Sequence, residues 1–178
     1  IAGYSAGMRI ESLSIVPMLA MGNAMSTFTA QNMGAGKIDR VKEGYRMCYV
    51  IVLTAGAVLC VMYQLAGGAF VSLFLDSGSS EAYSVGLSYV KFLSFFYSFI
   101  GLKASTDGLL RGAGDVTAFT VANLVNLAIR VSVTNLFAPI YGIQVAWMAV
   151  PLGWAANYVI SFGWYLTGKW KKVRVIKK

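Results

Sequence analysis

The sequence contains no histidine. The side chain that most often serves as a general base near neutral pH, and most often ligates a metal, is therefore missing. Cysteine is limited to Cys48 and Cys60, both inside one apolar tract, so neither a disulfide framework nor a zinc-ligand spacing is present, and no metal site is expected. Acids are scarce: seven Asp and Glu stand against 15 Lys and Arg, for a net charge of +8. Charged residues of both signs make up 12% of the 178 residues, about half of the ~25% usual in soluble domains. A basic excess can signal nucleic acid, but no motif of a nucleic-acid reader accompanies it. In so apolar a chain it is first a signal of membrane orientation.

Apolar residues fill the space, at 57% of the chain and a mean hydropathy of +0.65. Residues 47–75 contain no Asp, Glu, Lys or Arg, longer than the ~18 that mark a transmembrane candidate. Five spans fit the sequence: residues 5–33, 46–75, 83–110, 116–138 and 142–168. The expected fold is all-α, a polytopic transmembrane helix bundle forming a single membrane domain over residues 1–178, with a basic tail at 169–178. The chain opens at Ile1, without the pattern of a signal peptide, and is expected to be a piece of a longer protein.

The loops orient the spans. Lys37, Arg40, Lys42 and Arg46 lie between spans one and two, and Lys103, Arg111 and Asp115 border the turn between three and four. Asp76 and Glu81 lie between two and three, and the turn at Pro139 to Gly142 is uncharged. The tail carries Lys169, Lys171, Lys172, Arg174, Lys177 and Lys178. Basic and non-basic loops alternate, so the positive-inside rule places loops one and three and the C-terminus in the cytoplasm.

The stretch QNMGAGKIDR (31–40) contains Gly-Lys and invites comparison with a phosphate-binding loop. That loop needs Gly five residues before Gly36 and Ser or Thr after Lys37; Gln31 and Ile38 stand there instead, and no strand precedes it. The better reading is a helix end: Gly34 or Gly36 closes span one, and Gly112 or Gly114 in LLRGAGDV closes span three in the same way. Asp39 and Asp115 are then expected to cap the following helices.

These turns, AQNMGAGKIDRVKEGYR and DGLLRGAGDVTAF, resemble the cytoplasmic turns of the multidrug and toxic compound extrusion (MATE) transporters. The terminal stretch VAWMAVPLGWAANYVISFGWYLTGKWKK resembles the last helix and terminus of bacterial members. The resemblance covers essentially the whole chain. It implies the last five helices of the C-terminal half of a twelve-helix fold of two lobes, in the plasma membrane of a bacterium. It implies part of an H⁺- or Na⁺-coupled antiporter exporting organic, often cationic compounds, with no cofactor. The implied partners are the lipid bilayer, an N-terminal lobe of the same polypeptide, and small organic substrates. Some members carry a cation-binding carboxylate on the middle of the third span; here that middle, FLSFFYSFIGL, has no acid. The coupling site is therefore expected in the N-terminal lobe. A lipid-linked oligosaccharide flippase of the same superfamily is the alternative. A membrane-embedded enzyme would need a buried dyad or a His, and none is evident; a structural membrane module is the fallback.

Ionisable groups inside a membrane are costly and mark candidate sites. Glu11 in span one and Arg130 in span four both lie roughly 10 Å inside the outer boundary at ~1.5 Å per residue, and are expected to pair, as an architectural bridge or a coupling carboxylate. Arg9 and Lys91 are expected to snorkel outward. Asp107, flanked by Lys103 and Arg111 at i−4 and i+4, reads as a solvated charge ladder. Phe92, Phe96 and Phe99 share one helical face and could form an aromatic wall for flat cations. Asn23, Gln31 and Tyr97 are further candidates for a cavity lining. Asn123, Asn126 and Asn157 are expected to join helices. Pro17 could kink span one. Ala20 with Ala24, and Ser26 with Ala30 and Gly34, would permit close helix packing.

Overall fold

The computed structural model of the chain describes residues 2–75, 80–142 and 144–172. Asp76 and the tail residues Arg174, Lys177 and Lys178 lie outside them. Six α-helices follow in order: α1 (Ala2–Gly34), α2 (Ile38–Ser72), α3 (Ser80–Ser94), α4 (Tyr97–Gly112), α5 (Val116–Tyr141) and α6 (Gln144–Leu166), with a 3₁₀ turn at Lys169–Lys172. Four helices are individually long and apolar enough to cross a membrane, and α3 with α4 is long and apolar enough only as a bent pair taken together. With that pair counted as one, the helices correspond to the five expected spans, with two changes.

The first change is at α2, which starts at Ile38 rather than near residue 46. Arg40, Lys42 and Arg46 thus lie on its first turns, because Lys, Arg and Glu are good helix formers and nothing after Gly36 stops the chain. Lys42 donates to Asp39 at 2.7 Å, and this bond holds the exposed Asp39 carboxyl below the usual carboxylate range. Asp39 therefore does not cap α2, whose cap position, Lys37, has no side-chain bond.

The second change is a 51° bend between α3 and α4. No proline or glycine lies at the break. Its cause is competition for one carbonyl. The Lys91 oxygen accepts from Gln64 Nε2 of α2 at 2.9 Å and from the Ser94 hydroxyl at 2.7 Å, and side-chain donors of this kind displace the backbone ladder. The prolines do not break their helices: Pro17, Pro139 and Pro151 all lie within continuous α1, α5 and α6.

The helix ends repeat one device. Gly36, Gly114 and Gly168 all have positive φ, at 70°, 84° and 69°, where a Cβ would be strained. At the first turn Lys37 N bonds to Asn32 O at 2.8 Å and Gly36 N to Met33 O at 3.0 Å. At the second, Asp115 N bonds to Leu110 O at 2.9 Å and Gly114 N to Arg111 O at 3.1 Å. This is the same pair of capping bonds at both turns; Gly34 and Gly112 are the last residues of their helices. Asp115 caps α5 through Ala118 N and also accepts Trp164 Nε1 of α6 at 2.7 Å. The turns and the 3₁₀ segment gather Lys37, Arg40, Lys42, Arg111, Lys169, Lys171 and Lys172 at one end, the basic end of the bundle.

Helix α4 is central, packing on α1, α2 and α6. The α1–α4 seam closes at backbone distance along three positions. A Cβ on Gly108 would lie 2.1 Å from Gly22 O, one on Gly112 2.2 Å from Ser26 O, and one on Gly22 2.6 Å from Ala104 O. Backbones meet there because no side chain intervenes. The seam residues are Gly22 and Ser26 facing Ala104, Gly108 and Gly112; Ala20, Ala24, Ala30 and Gly34, expected at such a contact, are exposed. Large apolar side chains cover the outer surface, Leu65 at 83% and Val159 at 67% exposure among them, as lipid contact requires.

A polar cleft over a buried charge network

Helices α1 and α5 flank α4 without extensive packing on each other, while α5 packs on α6. The gap between α1 and α5 is a cleft of about 250 Å³, lined by Leu19, Gly22 and Asn23 of α1, Lys103, Ala104, Asp107, Gly108 and Arg111 of α4, and Phe119 and Asn123 of α5. Its floor is broad because Gly22 and Gly108 carry no side chain.

Asp107 lies beneath the cleft, 4% exposed. Its Oδ2 accepts from Lys103 Nζ at 2.9 Å and Asn123 Nδ2 at 3.3 Å; its Oδ1 accepts from Ser161 Oγ at 2.6 Å. Lys103 also donates to Asn123 Oδ1 at 3.1 Å. Three helices thus satisfy one carboxylate, which a buried charge demands. The expected solvated ladder of Lys103, Asp107 and Arg111 is corrected. Arg111 turns away, donating to Asn23 Oδ1 at 2.7 Å and lying 5.5 Å over the Phe119 ring. Asp107 is buried because α5 and α6 bring Asn123 and Ser161 against it.

The opposite face of α4 holds a hydroxyl cluster. Thr106 Oγ1 bonds to Tyr45 at 2.7 Å and Tyr49 at 2.8 Å, and Tyr49 reaches Tyr158 at 3.3 Å. Asn126 Oδ1 and Asn157 Nδ2, on α5 and α6, are buried without a protein partner.

The other candidates fall as follows. Asn23 lines the cleft; Gln31, two turns nearer the basic end, is exposed and does not. Phe92, Phe96 and Phe99 line one groove of about 170 Å³ against Met148, Pro151, Leu152 and Ala155 of α6, with ring centroids 5.2 and 6.3 Å apart. Tyr97 is fully buried with its ring 5.9 Å from Tyr63, and it lies in neither the cleft nor the phenylalanine groove. Glu11 and Arg130 form no ion pair within the 4.0 Å that defines one: among the described residues the ion pairs are Lys42–Asp39 and Lys103–Asp107. Glu11 instead accepts the Tyr89 hydroxyl of α3, and the Arg130 stem packs where Gly153 of α6 leaves room. Sequence reasoning placed Lys103 beside Asp107 but in a solvated ladder, and it missed Ser161 and the tyrosine cluster. The available signal was polar residues at helical spacing in three successive spans: Lys103 and Asp107, Asn123 and Asn126, Asn157 and Ser161.

The MatE family matches residues 1–150. A probable multidrug resistance protein of Bacillus subtilis, YpnP, is 28% identical over 98% of this chain and 39% of its own length. Another, NorM of Thermotoga maritima, is 22% identical over 99% of this chain and 38% of its own length. The chain thus spans about two-fifths of these relatives. An inward-facing MATE transporter of the MOP superfamily shares the fold, with a TM-score of 0.81 over 92% of this chain and 37% of its own, at 19% identity. The capped turns, the five spans and the match over most of the chain agree: the chain belongs to the MatE family of multidrug and toxic compound extrusion transporters.

Proposed function

We propose that this chain is the last five helices of the C-terminal lobe of a multidrug exporter, acting with an N-terminal lobe of the same polypeptide. The exporter is an antiporter coupled to H⁺ or Na⁺, without a cofactor and not an enzyme, and works by alternating access between two lobes. The observation that carries this reading is the cleft itself. It carries Lys103, Arg111, Asn23 and Asn123, reaches the exposed Arg111 at the basic end and sits over a satisfied buried charge, in a bundle whose fold matches an inward-facing relative. Charge placement supports a cytoplasmic basic end and C-terminus in a bacterial inner membrane. Phe92, Phe96 and Phe99 form an apolar wall for the flat parts of substrates, and Asn23 and Lys103 contact their polar parts. The coupling ion is held mainly by the other lobe.

The test is export. Cells lacking their own efflux pumps and expressing the whole transporter should accumulate less ethidium than controls. Collapse of the H⁺ or Na⁺ gradient should abolish the difference. Unchanged accumulation across a panel of dyes and drugs would refute the reading. An oligosaccharide flippase would instead leave dyes untouched and complement a flippase-deficient strain.

A further inference from the structure

The cleft has a sign. Lys103 and Arg111 line it with Asp107 as the lone acid, which leaves an excess of one positive charge. Asp107 is already engaged by Lys103, Asn123 and Ser161, so its negative charge is turned into the protein. The two cations are not exhausted. An ammonium has three N–H donors, and Lys103 commits two of them, to Asp107 and Asn123. A guanidinium has five in a planar fork, and Arg111 commits one to Asn23, forming no ion pair among the described residues. The two residues are eight apart on one helix, so they stand about 12 Å apart along the axis. The cleft runs from an exposed guanidinium at the basic end to a partly buried ammonium about midway into a span. Leu19 and the Phe119 ring, on which Arg111 already rests, supply its apolar lining.

We infer that this cleft binds organic acids: a carboxylate or equivalent anionic group on an aromatic body. The anion takes the open donors of Arg111 at the mouth and then of Lys103 inside, while the ring lies against Leu19 and Phe119. A cationic ligand finds no free acceptor of opposite charge here. To reach Asp107 it would have to displace Lys103 and leave three cations around one acid. The inference rests on the reading of the cleft as part of the export path, and narrows it: cationic compounds use the phenylalanine groove, acidic or zwitterionic ones the cleft.

Binding to the purified whole transporter in phosphatidylcholine nanodiscs, with no ion gradient, separates this inference from export. Three probes share one ring system: 2-naphthoate, 2-naphthamide and (2-naphthylmethyl)trimethylammonium. The naphthoate should bind about tenfold tighter than the amide, as a charge-assisted bond implies. Arg111→Gln should remove most of that preference while changing amide affinity by no more than about twofold. Arg111 is exposed, so unfolding should not confound the result, and an unaltered thermal transition verifies that. The double variant Lys103→Met with Asp107→Leu, which keeps the net charge, should also lower naphthoate affinity. Equal binding of the three probes, tighter binding of the ammonium, or an unchanged preference in Arg111→Gln would each overturn the inference. Displacement of naphthoate by phosphatidylglycerol in the disc would assign the cleft to a lipid headgroup and overturn it too. Naphthoate preference without dye efflux would sink the export reading and leave the cleft assignment standing.

Discussion

The seam between α1 and α4 makes the sharpest claim about stability. Replacing Gly108 by Ala would put a Cβ 2.1 Å from the Gly22 carbonyl oxygen, against the ~3.3 Å at which carbon and a carbonyl oxygen meet comfortably. The helices must part locally by about 1.2 Å, the difference between those two distances. The clash is with backbone, so no rotamer change relieves it. Overpacking of this kind costs about 1–3 kcal/mol, and the upper part of that range applies to a rigid neighbour. Alanine returns up to ~1 kcal/mol in helix propensity, so the net loss should be about 2 kcal/mol. Gly34 is the internal control. It ends the same α1, has no atom within 4 Å of its Cβ position, and keeps a negative φ. Gly34→Ala should be neutral or stabilising by up to ~1 kcal/mol. The order of damage should be Gly108 and Gly112, then Gly22, then Gly34. Reversible unfolding of the whole transporter in mixed dodecyl maltoside and SDS micelles, followed by tryptophan fluorescence, measures it. A Gly108→Ala protein as stable as Gly34→Ala would show that the seam is not closed at backbone distance.

Lys103→Met alone should cost about 3–5 kcal/mol by stranding the Asp107 carboxylate, and Lys103→Met with Asp107→Leu should recover most of that in the same unfolding assay. Gly36→Ala and Gly114→Ala should each cost about 1–2 kcal/mol by forcing a Cβ into the left-handed region, and Asn at either position should cost less; thermal unfolding tests both. Tyr89→Phe should lower stability by about 1–3 kcal/mol by removing the donor to Glu11, whereas Arg130→Gln should leave it nearly unchanged, an ordering that detergent unfolding would expose if wrong.

The five spans and the two glycine turns could be read from the chain because each rests on local information. Residues 47–75 are apolar without interruption, and only glycine suits the φ of Gly36 and Gly114. The bend at Ser94 could not be read, because its cause is Gln64, about thirty residues earlier in a different helix. Asp107 misled for a related reason. Its spacing to Lys103 and Arg111 is a local pattern, but its burial is decided by Asn123 and Ser161, whose approach depends on how α5 and α6 settle on α4. Glu11 and Arg130 share a depth, which sequence can give, but contact it cannot give; the hydrogen-bond partner of Glu11 proved to be the neutral Tyr89. The phenylalanine face survived because Phe92, Phe96 and Phe99 lie close enough across the break for α6 to gather them.

The glycine seam also bears on how far such a chain can drift. Positions whose Cβ would meet backbone, as at Gly22, Gly108 and Gly112, admit almost no exchange. Positions turned to lipid, such as Leu65 and Val159, ask only that a side chain be apolar. Most of the outer surface is of the second kind, so neutral substitution has many places to accumulate and few that change the helix geometry. A fold likeness with a TM-score of 0.81 at 19% identity is the outcome that this division of constraint leads one to expect.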